Sequence, residues 1–507
     1  MDDTKKVGFW KNEKLWNILA VVAIMICYLD DLRENFTFLI IYLPLSALMK
    51  ILQTRDLKKS VYPIITVLIA IGAFILDKIR FYRNDSFILL IIIVILPLSM
   101  TINFYNTKDK LIKDTYLEKR IKEDLALPKK QELTLKDLEN VGQLSIHNSK
   151  INKIDGIEKL KNLKTLWLSS NHIMNIELMN SLSNFKKLDL TYVKSKDLYF
   201  INGLKNLEEL QIYSTQIDSL KGIENLTNPK KVSVNKITDE DLNLLTTPLN
   251  VLKELNLSSC RFDDVDLTIL NKFKNLKSLN LSSSCVTNIS FLSDLSSLEE
   301  IDISNNWISD LSPLLKLENL RKLNISNIKR IENIELIENL TNLEELDISN
   351  TPIEDLEVLE NLKNLKVLTI GSFENYKDSK LLKNMEILNK LTNLKELNAD
   401  NLEIENLSFI KDLKSLETLK MNNNNISNIE IIKNLTNLKH LSLDNDHIED
   451  ISPLKNLTQL KYLDLDRNHI SNIEALSNLK NLESLSLKIN KIANYGPIKD
   501  LPYIDIK

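Results

Sequence analysis

From about residue 140 onward, apolar and polar positions change period within each stretch of 22 residues and then begin again. In Leu438-Lys-His-Leu441-Ser-Leu443-Asp-Asn-Asp446-His-Ile448, the leucines at 441 and 443 alternate with Ser442 and Asp444. Period two sets one face of a short strand in a core and the other in water. The spacing then lengthens to three, as at Ile470, Ile473, Leu476 and Leu479. Period three fits 3-10 or irregular turns better than a long helix. One copy cannot bury its leucines alone. Stacked copies pair their strands in parallel and close a continuous core, so the pattern predicts a curved solenoid.

Copies open at Val141, Leu163, Phe185, Leu207, Pro229, Leu252, Leu276, Leu298, Leu320, Leu343, Leu365, Leu394, Leu416, Leu438, Leu460 and Leu482, sixteen in all. At ~4.8 Å per strand they predict a concave sheet about 75 Å long. The ninth position turns inward, where an amide can serve unpaired backbone groups. Asn171, Asn306, Asn424, Asn468 and Asn490 occupy it, with Ser149, Thr215, Ser284 and Thr351 as weaker substitutes. The copies opening at Pro229 and Leu252 run slightly long, and the one from Leu365 carries an insertion at 373–380. Insertions in such arrays map to surface loops.

The pattern before residue 140 is of another kind. A basic tail, 1–14, precedes four apolar runs at about Leu15–Leu29, Phe36–Leu52, Val61–Leu76 and Phe87–Phe104. Each is a little shorter than the ~20 residues of a typical span. Flanking Trp16, Tyr28, Tyr62 and Tyr82 extend them at the interfaces. The expectation is an all-α four-helix transmembrane region over 15–104, in contact with a lipid bilayer, with the first run a signal anchor. Segment 105–130 reads as a juxtamembrane helix or stalk, with Leu111, Ile112, Tyr116, Ile121 and Leu125 near helical spacing and Pro128 at its end. The solenoid takes 131–507. Lys and Arg in the loops set orientation. With the N-terminus inside, twelve further positive charges fall inside and four outside, so the solenoid is expected in the cytoplasm of a multi-pass cell-membrane protein.

Composition removes several functions. Net charge is −4, which gives no bulk attraction to nucleic acid. Three cysteines cannot build a disulfide framework, and Cys260 falls at an inward position. Eight glycines leave little for a phosphate-cradling loop, and no Ser-His-Asp order or Cys-x-x-Cys occurs. His172, His447 and His469 each follow an inward position, but the spacing fixes no third ligand for a metal. The membrane runs hold no ionisable pair at their centres. No enzyme activity, metal or cofactor is expected, and no small-molecule substrate is inferred.

Three stretches carry a family resemblance: Ile154-Asp-Gly-Ile157-Glu-Lys-Leu160-Lys-Asn-Leu163, Asn306-Trp-Ile308-Ser-Asp-Leu311-Ser-Pro-Leu314 and Ile448-Glu-Asp-Ile451-Ser-Pro-Leu454-Lys-Asn-Leu457. They resemble internalin-type leucine-rich repeats of bacteria. The resemblance covers about 135–507 and implies an α/β leucine-rich repeat solenoid: a curved parallel sheet with a 3-10 or irregular convex side. It also implies a concave surface for a protein partner. Four apolar runs stand where surface internalins carry a cleavable signal, and no sortase motif follows the repeats. Hence the first reading is a membrane-anchored interaction module. The alternatives are an extracellular adhesin or receptor, and a transporter or enzyme regulated by the repeats.

In each copy the third, fifth and seventh positions face the concave side, with the eighth at its edge. Mid-array these are small and polar, as at Asn280, Ser282, Asp302 and Ser304. The early copies place Trp167 at a fifth position, Tyr213 and His147 at seventh positions, and Tyr192 at an eighth. Exposed aromatics on a rigid sheet are candidate hot spots. In the late copies His440, Tyr462, Asp444, Asp466 and Arg467 form a second candidate patch.

Overall fold

The computed structural model describes residues 110–501 except 147–150, 152, 170–172, 174, 214–215, 247–250, 264, 373–381 and 500. The basic tail, the four apolar runs and the insertion at 373–380 lie outside the described residues. Among the described residues no helix is long and apolar enough to cross a membrane.

Sixteen strands form a single parallel sheet, from Gln143–Ser145 to Ser484–Ser486, in chain order. Most are three residues long, covering the third to fifth positions of the frame. The register is strict: Leu441 lies opposite Leu419 on one side and Leu463 on the other. Leu441 and Leu443 are fully buried, as their alternation with polar residues requires. The period-three segment forms 3-10 turns, such as Glu474–Asn478, with Ile470, Ile473, Leu476 and Leu479 in the core. The long copy from Pro229 replaces its 3-10 turn with helix α3, Asp239–Thr246. Asp241, buried in that helix, accepts the Leu220 N–H at 2.8 Å and the Thr238 hydroxyl at 2.8 Å. A small accessory pairing joins Lys194–Ser195 to Gln216–Ile217.

The inward amides behave as their position predicts. Asn306 donates to the carbonyls of Leu281 and Ile303, both at 2.8 Å, and accepts the N–H groups of Ser284 and Val286. Asn424 and Asn468 repeat the arrangement in later copies. Ser284 and Thr351 substitute with single hydroxyls, donated to Leu257 and Ile348. A second amide ladder runs beside it. Asn162, Asn184, Asn206, Asn319, Asn342, Asn364, Asn393, Asn437 and Asn481 each precede an opening residue; Asn162 donates to the Glu139 carbonyl ahead of the first copy, and each of the others to a backbone carbonyl of the preceding copy, at 2.7–3.0 Å. Buried polar backbone must be paired. Two side-chain columns therefore serve the turns that the strands cannot.

The segment read as a stalk takes a different role. Helix α1, Thr115–Asp124, buries Leu117 and Ile121 completely against the first strand. Lys122 is buried with it, paired to Glu118 at 2.6 Å. The chain before α1 also docks: Lys159 donates to the Leu111 carbonyl at 2.8 Å. That carbonyl lies where a side chain on Gly156 would sit, 2.4 Å from a Cβ, and Gly156 has φ +101°. The helix covers the open end of the sheet, where the first strand has no preceding neighbour and its core would otherwise meet water. A solenoid needs such a cap. A short helix α2, Leu135–Glu139, completes it, started by a reciprocal Thr134–Asp137 capping box.

Candidate protein-binding surface

The middle of the concave face is bonded to itself. Asp302 accepts the Ser304 N–H at 3.0 Å and its hydroxyl at 2.7 Å. Asn280 with Ser282 and Asp347 with Ser349 do the same. Burial pushes the Asp347 carboxyl above the usual range, against the hydrogen bonds from Ser349. These fifth and seventh positions are locked by their own turn and offer a partner few free groups.

The eighth position shows a backbone demand that apolar periodicity does not reveal. Ser259, Ser283, Asn305, Asn327, Asn350, Asn401, Asn423 and Asn445 all have φ between 53° and 60°. Asn tolerates this left-handed region; bulky and β-branched residues do not. Tyr192, Lys236, Arg467 and Ile489 hold the same conformation. Ile489 is 75% exposed and Tyr192 60% exposed, so neither gains burial in return.

The early candidates occupy consecutive copies. Trp167, half-buried, stands in register between Ser145 and Asp189 at the fifth position. Tyr192 donates its N–H to the Tyr213 carbonyl at 2.9 Å, which ties those two copies together at the sheet edge. His147 lies outside the described residues.

The late candidates are drawn together. His440 and Tyr462 pair directly across the sheet, with ring centroids 6.5 Å apart. Arg467 is ion-paired to Asp444 of the preceding copy. The Tyr462 hydroxyl reaches Asp464 at 3.3 Å, and Asp466 accepts the Ser486 hydroxyl and the Lys488 N–H, both at 2.6 Å. Burial raises the Tyr462 phenol and the Asp464 carboxyl, and neighbouring carboxylates add to both effects.

Other sequence features are structural. Cys260 is buried, and burial pushes its thiol up to about 11. His447 and His469 stack edge to face at 5.9 Å on the exposed side turn; His172 lies outside the described residues. No group of three or more residues able to hold a metal occurs among the described residues.

Periodicity of apolar residues also left the charge ladder unseen. At the second position of successive copies, Glu208 bridges Lys186 and Lys230, both at 2.7 Å. Glu344 bridges Arg321 and Lys366 in the same way. The two lysines hold the Glu208 carboxyl down to about 2. The signal was available as opposite charges one period apart.

Comparison with known proteins agrees with this geometry. Residues 232–407 match the family described as a leucine-rich repeat region, and 414–456 and 458–502 match the family of two-copy leucine-rich repeats. No curated protein matches the chain. Among solved structures, the mouse RP105/MD-1 complex is similar at 22% identity and TM-score 0.54, over 74% of this chain and 69% of that one. The TLR13–ssRNA13 complex is similar at 22% identity and TM-score 0.52, over 73% of this chain and 64% of that one. An internalin, InlF of Listeria monocytogenes, aligns at 26% identity and TM-score 0.43, over 78% of this chain and 95% of that one.

Proposed function

We propose that this leucine-rich repeat array is a non-catalytic binding surface for a protein partner, held at a membrane by the apolar runs of residues 15–104. The partner contacts the concave face in its early and late copies. Trp167, Tyr192 and Tyr213, with His147, form one contact region; His440, Tyr462, Asp444, Asp466 and Arg467 form the other. The observation that carries this reading is Tyr192. A large aromatic, 60% exposed, occupies a left-handed backbone position where mid-array copies place Asn or Ser. Strain retained without a packing return is a mark of functional positions. The distribution of Lys and Arg around the apolar runs supports a cytoplasmic array.

Photo-crosslinking in native membranes tests it. A photoreactive residue is placed at Tyr192, at Arg467 and, as a control in the same backbone conformation, at Asn305. Adducts with a protein at 192 or 467 and not at 305 are expected. Adducts at 305 alone, or equal adducts at all three, would overturn the reading. A reporter fused after Lys507 reads the side of the membrane.

A further inference from the structure

The inward ladder of the late copies runs Asn424, Asp446, Asn468, Asn490, and one of these four rungs is an acid. Asp446 is 4% exposed. Its Oδ1 accepts the Ile426 N–H at 3.0 Å, as the Asn468 oxygen accepts the Ile448 N–H. The other half of the rung differs. In Asn424 the Nδ2 group donates to the carbonyls of Ala399, Met421 and Asn422; in Asn468 it donates to those of Leu443, Leu465 and Asp466. The same offsets from 446 fall on the carbonyls of Met421, Leu443 and Asp444. With Oδ1 in the place of the amide oxygen, Oδ2 takes the place of Nδ2, buried and without a partner. An ionised oxygen facing carbonyl oxygens is repelled by all of them. A protonated one donates in place of the amide.

We infer that Asp446 is held as the neutral acid in the folded array, with the proton on Oδ2 donated to a backbone carbonyl, so that this turn is a pH-responsive joint beneath the late patch. Its electrostatic surroundings agree. Burial pushes the carboxyl up to about 7; the Ile426 and Asn424 N–H groups oppose the rise, and Asp444 and Asp400 add to it. Around it, Asp444 is engaged by Arg467. Lys420 weighs on Asp400. Asp464 and Asp466 belong to the following copy, and His447 follows by one residue with its ring against His469.

An aspartate in the unfolded chain titrates near ~3.9. Between that value and about 7 the folded form holds one more proton than the unfolded form. The contribution of this rung to stability is therefore complete below about pH 4, falls as pH rises, and is gone above pH 7. It stands whether or not the concave face binds a protein.

Hydrogen exchange on the full-length protein in detergent tests it. The amides of 421–448 are followed across pH and corrected for intrinsic exchange, in wild type, Asp446→Asn and Asp444→Asn. In wild type and Asp444→Asn the opening constant of this segment rises by up to about tenfold per pH unit, then flattens above neutrality. In Asp446→Asn it is flat. Infrared spectra show neutral-carboxyl absorption just below neutral pH that wild type and Asp444→Asn share and that is reduced in Asp446→Asn. A pH profile in Asp446→Asn parallel to wild type, or an unchanged band, overturns the proposal. Asn already fills the adjacent rungs, so the variant keeps the ladder.

Discussion

Two copies built on one frame, those opening at Leu298 and Leu438, treat their polar positions differently. In the first, Asp302 is spent on Ser304, Asn305 meets the left-handed turn, and Asn306 closes the ladder. In the second, Ser442 replaces the acid at the fifth position, Asp444 turns to Arg467, and an acid sits in the ladder. The polar groups of a regular array serve their own backbone first. Surface for a partner, and sensitivity to conditions, arise where a copy gives up that service. The sharpest way to break the comparison is to remove a complete rung. Asn306→Ala leaves two N–H groups and the carbonyls of Leu281, Ile303 and Ser304 without their side-chain partner. A loss of about 3 kcal/mol is expected, since each orphaned buried group costs about 1–3 kcal/mol before relaxation. Arrays unfold by neighbouring copies, so the loss is read as faster local exchange around 281–306 together with a lower denaturant midpoint.

The same experiment on the other copy changes sign. Asp446→Asn restores the donor that ionisation removes. Above pH 7 it is expected to stabilise the array by up to about 4 kcal/mol, set by the gap between about 7 and ~3.9, and the gain shrinks toward zero below about pH 4. Thermal unfolding of the two proteins, side by side at acidic and alkaline pH, checks this. A gain of equal size at every pH would make the effect a matter of packing, and the contrast between the copies would lose its electrostatic basis.

How far these differences could be read in advance depends on which physical period carries them. The strand frame was plain, because leucine alternation is the same signal in one copy as in sixteen. The cap was not. Helix α1 has mixed charge and an apolar stripe, and such a stripe reads alike whether it faces solvent, lipid or a strand. The side chain that decides it is Leu117, fully buried, next to Tyr116, which is exposed. The second amide ladder was hidden because its acceptor, the carbonyl of the preceding copy, exists as a neighbour only after stacking. The eighth-position column needed φ values, which apolar periodicity does not contain. His440 and Tyr462 could be paired from the frame because they stand one period apart; the adjacency of Tyr192 and Tyr213 depended on a backbone hydrogen bond.

Ile489 and Tyr192 sharpen the comparison between strain and service. Substituting Ile489→Asn places a residue that accepts φ 57° where a β-branched one now stands, 75% exposed. A gain of about 1 kcal/mol is expected. Tyr192→Asn is expected to gain a little less, because an unbranched Cβ is less hindered at φ 60° than that of Ile489; the backbone link to Tyr213 stays intact. Crosslinking through neighbouring Trp167 should weaken in Tyr192→Asn despite the added stability. A variant that is both more stable and equally competent to bind would show that the strain at 192 serves no partner.

The charge ladder should respond least. Glu208 sits between two lysines of neighbouring copies, and its carboxylate is held down to about 2. A depressed acid contributes stability above its unfolded value, near ~4.3, and loses that contribution as pH falls through its folded value. The pairs are exposed, with lysine side chains about half accessible. Exposed pairs rarely exceed about 1 kcal/mol, and salt screens them. Glu208→Gln should therefore shift unfolding by less than about 1 kcal/mol at neutral pH, by less again in high salt, and by nothing below about pH 2. Its pH dependence runs opposite to that of Asp446. The ladder acid is lost to the fold as pH rises, while the bridging acid is lost as pH falls, and the two variants measured over one pH series separate a rung of the core from a rung of the surface.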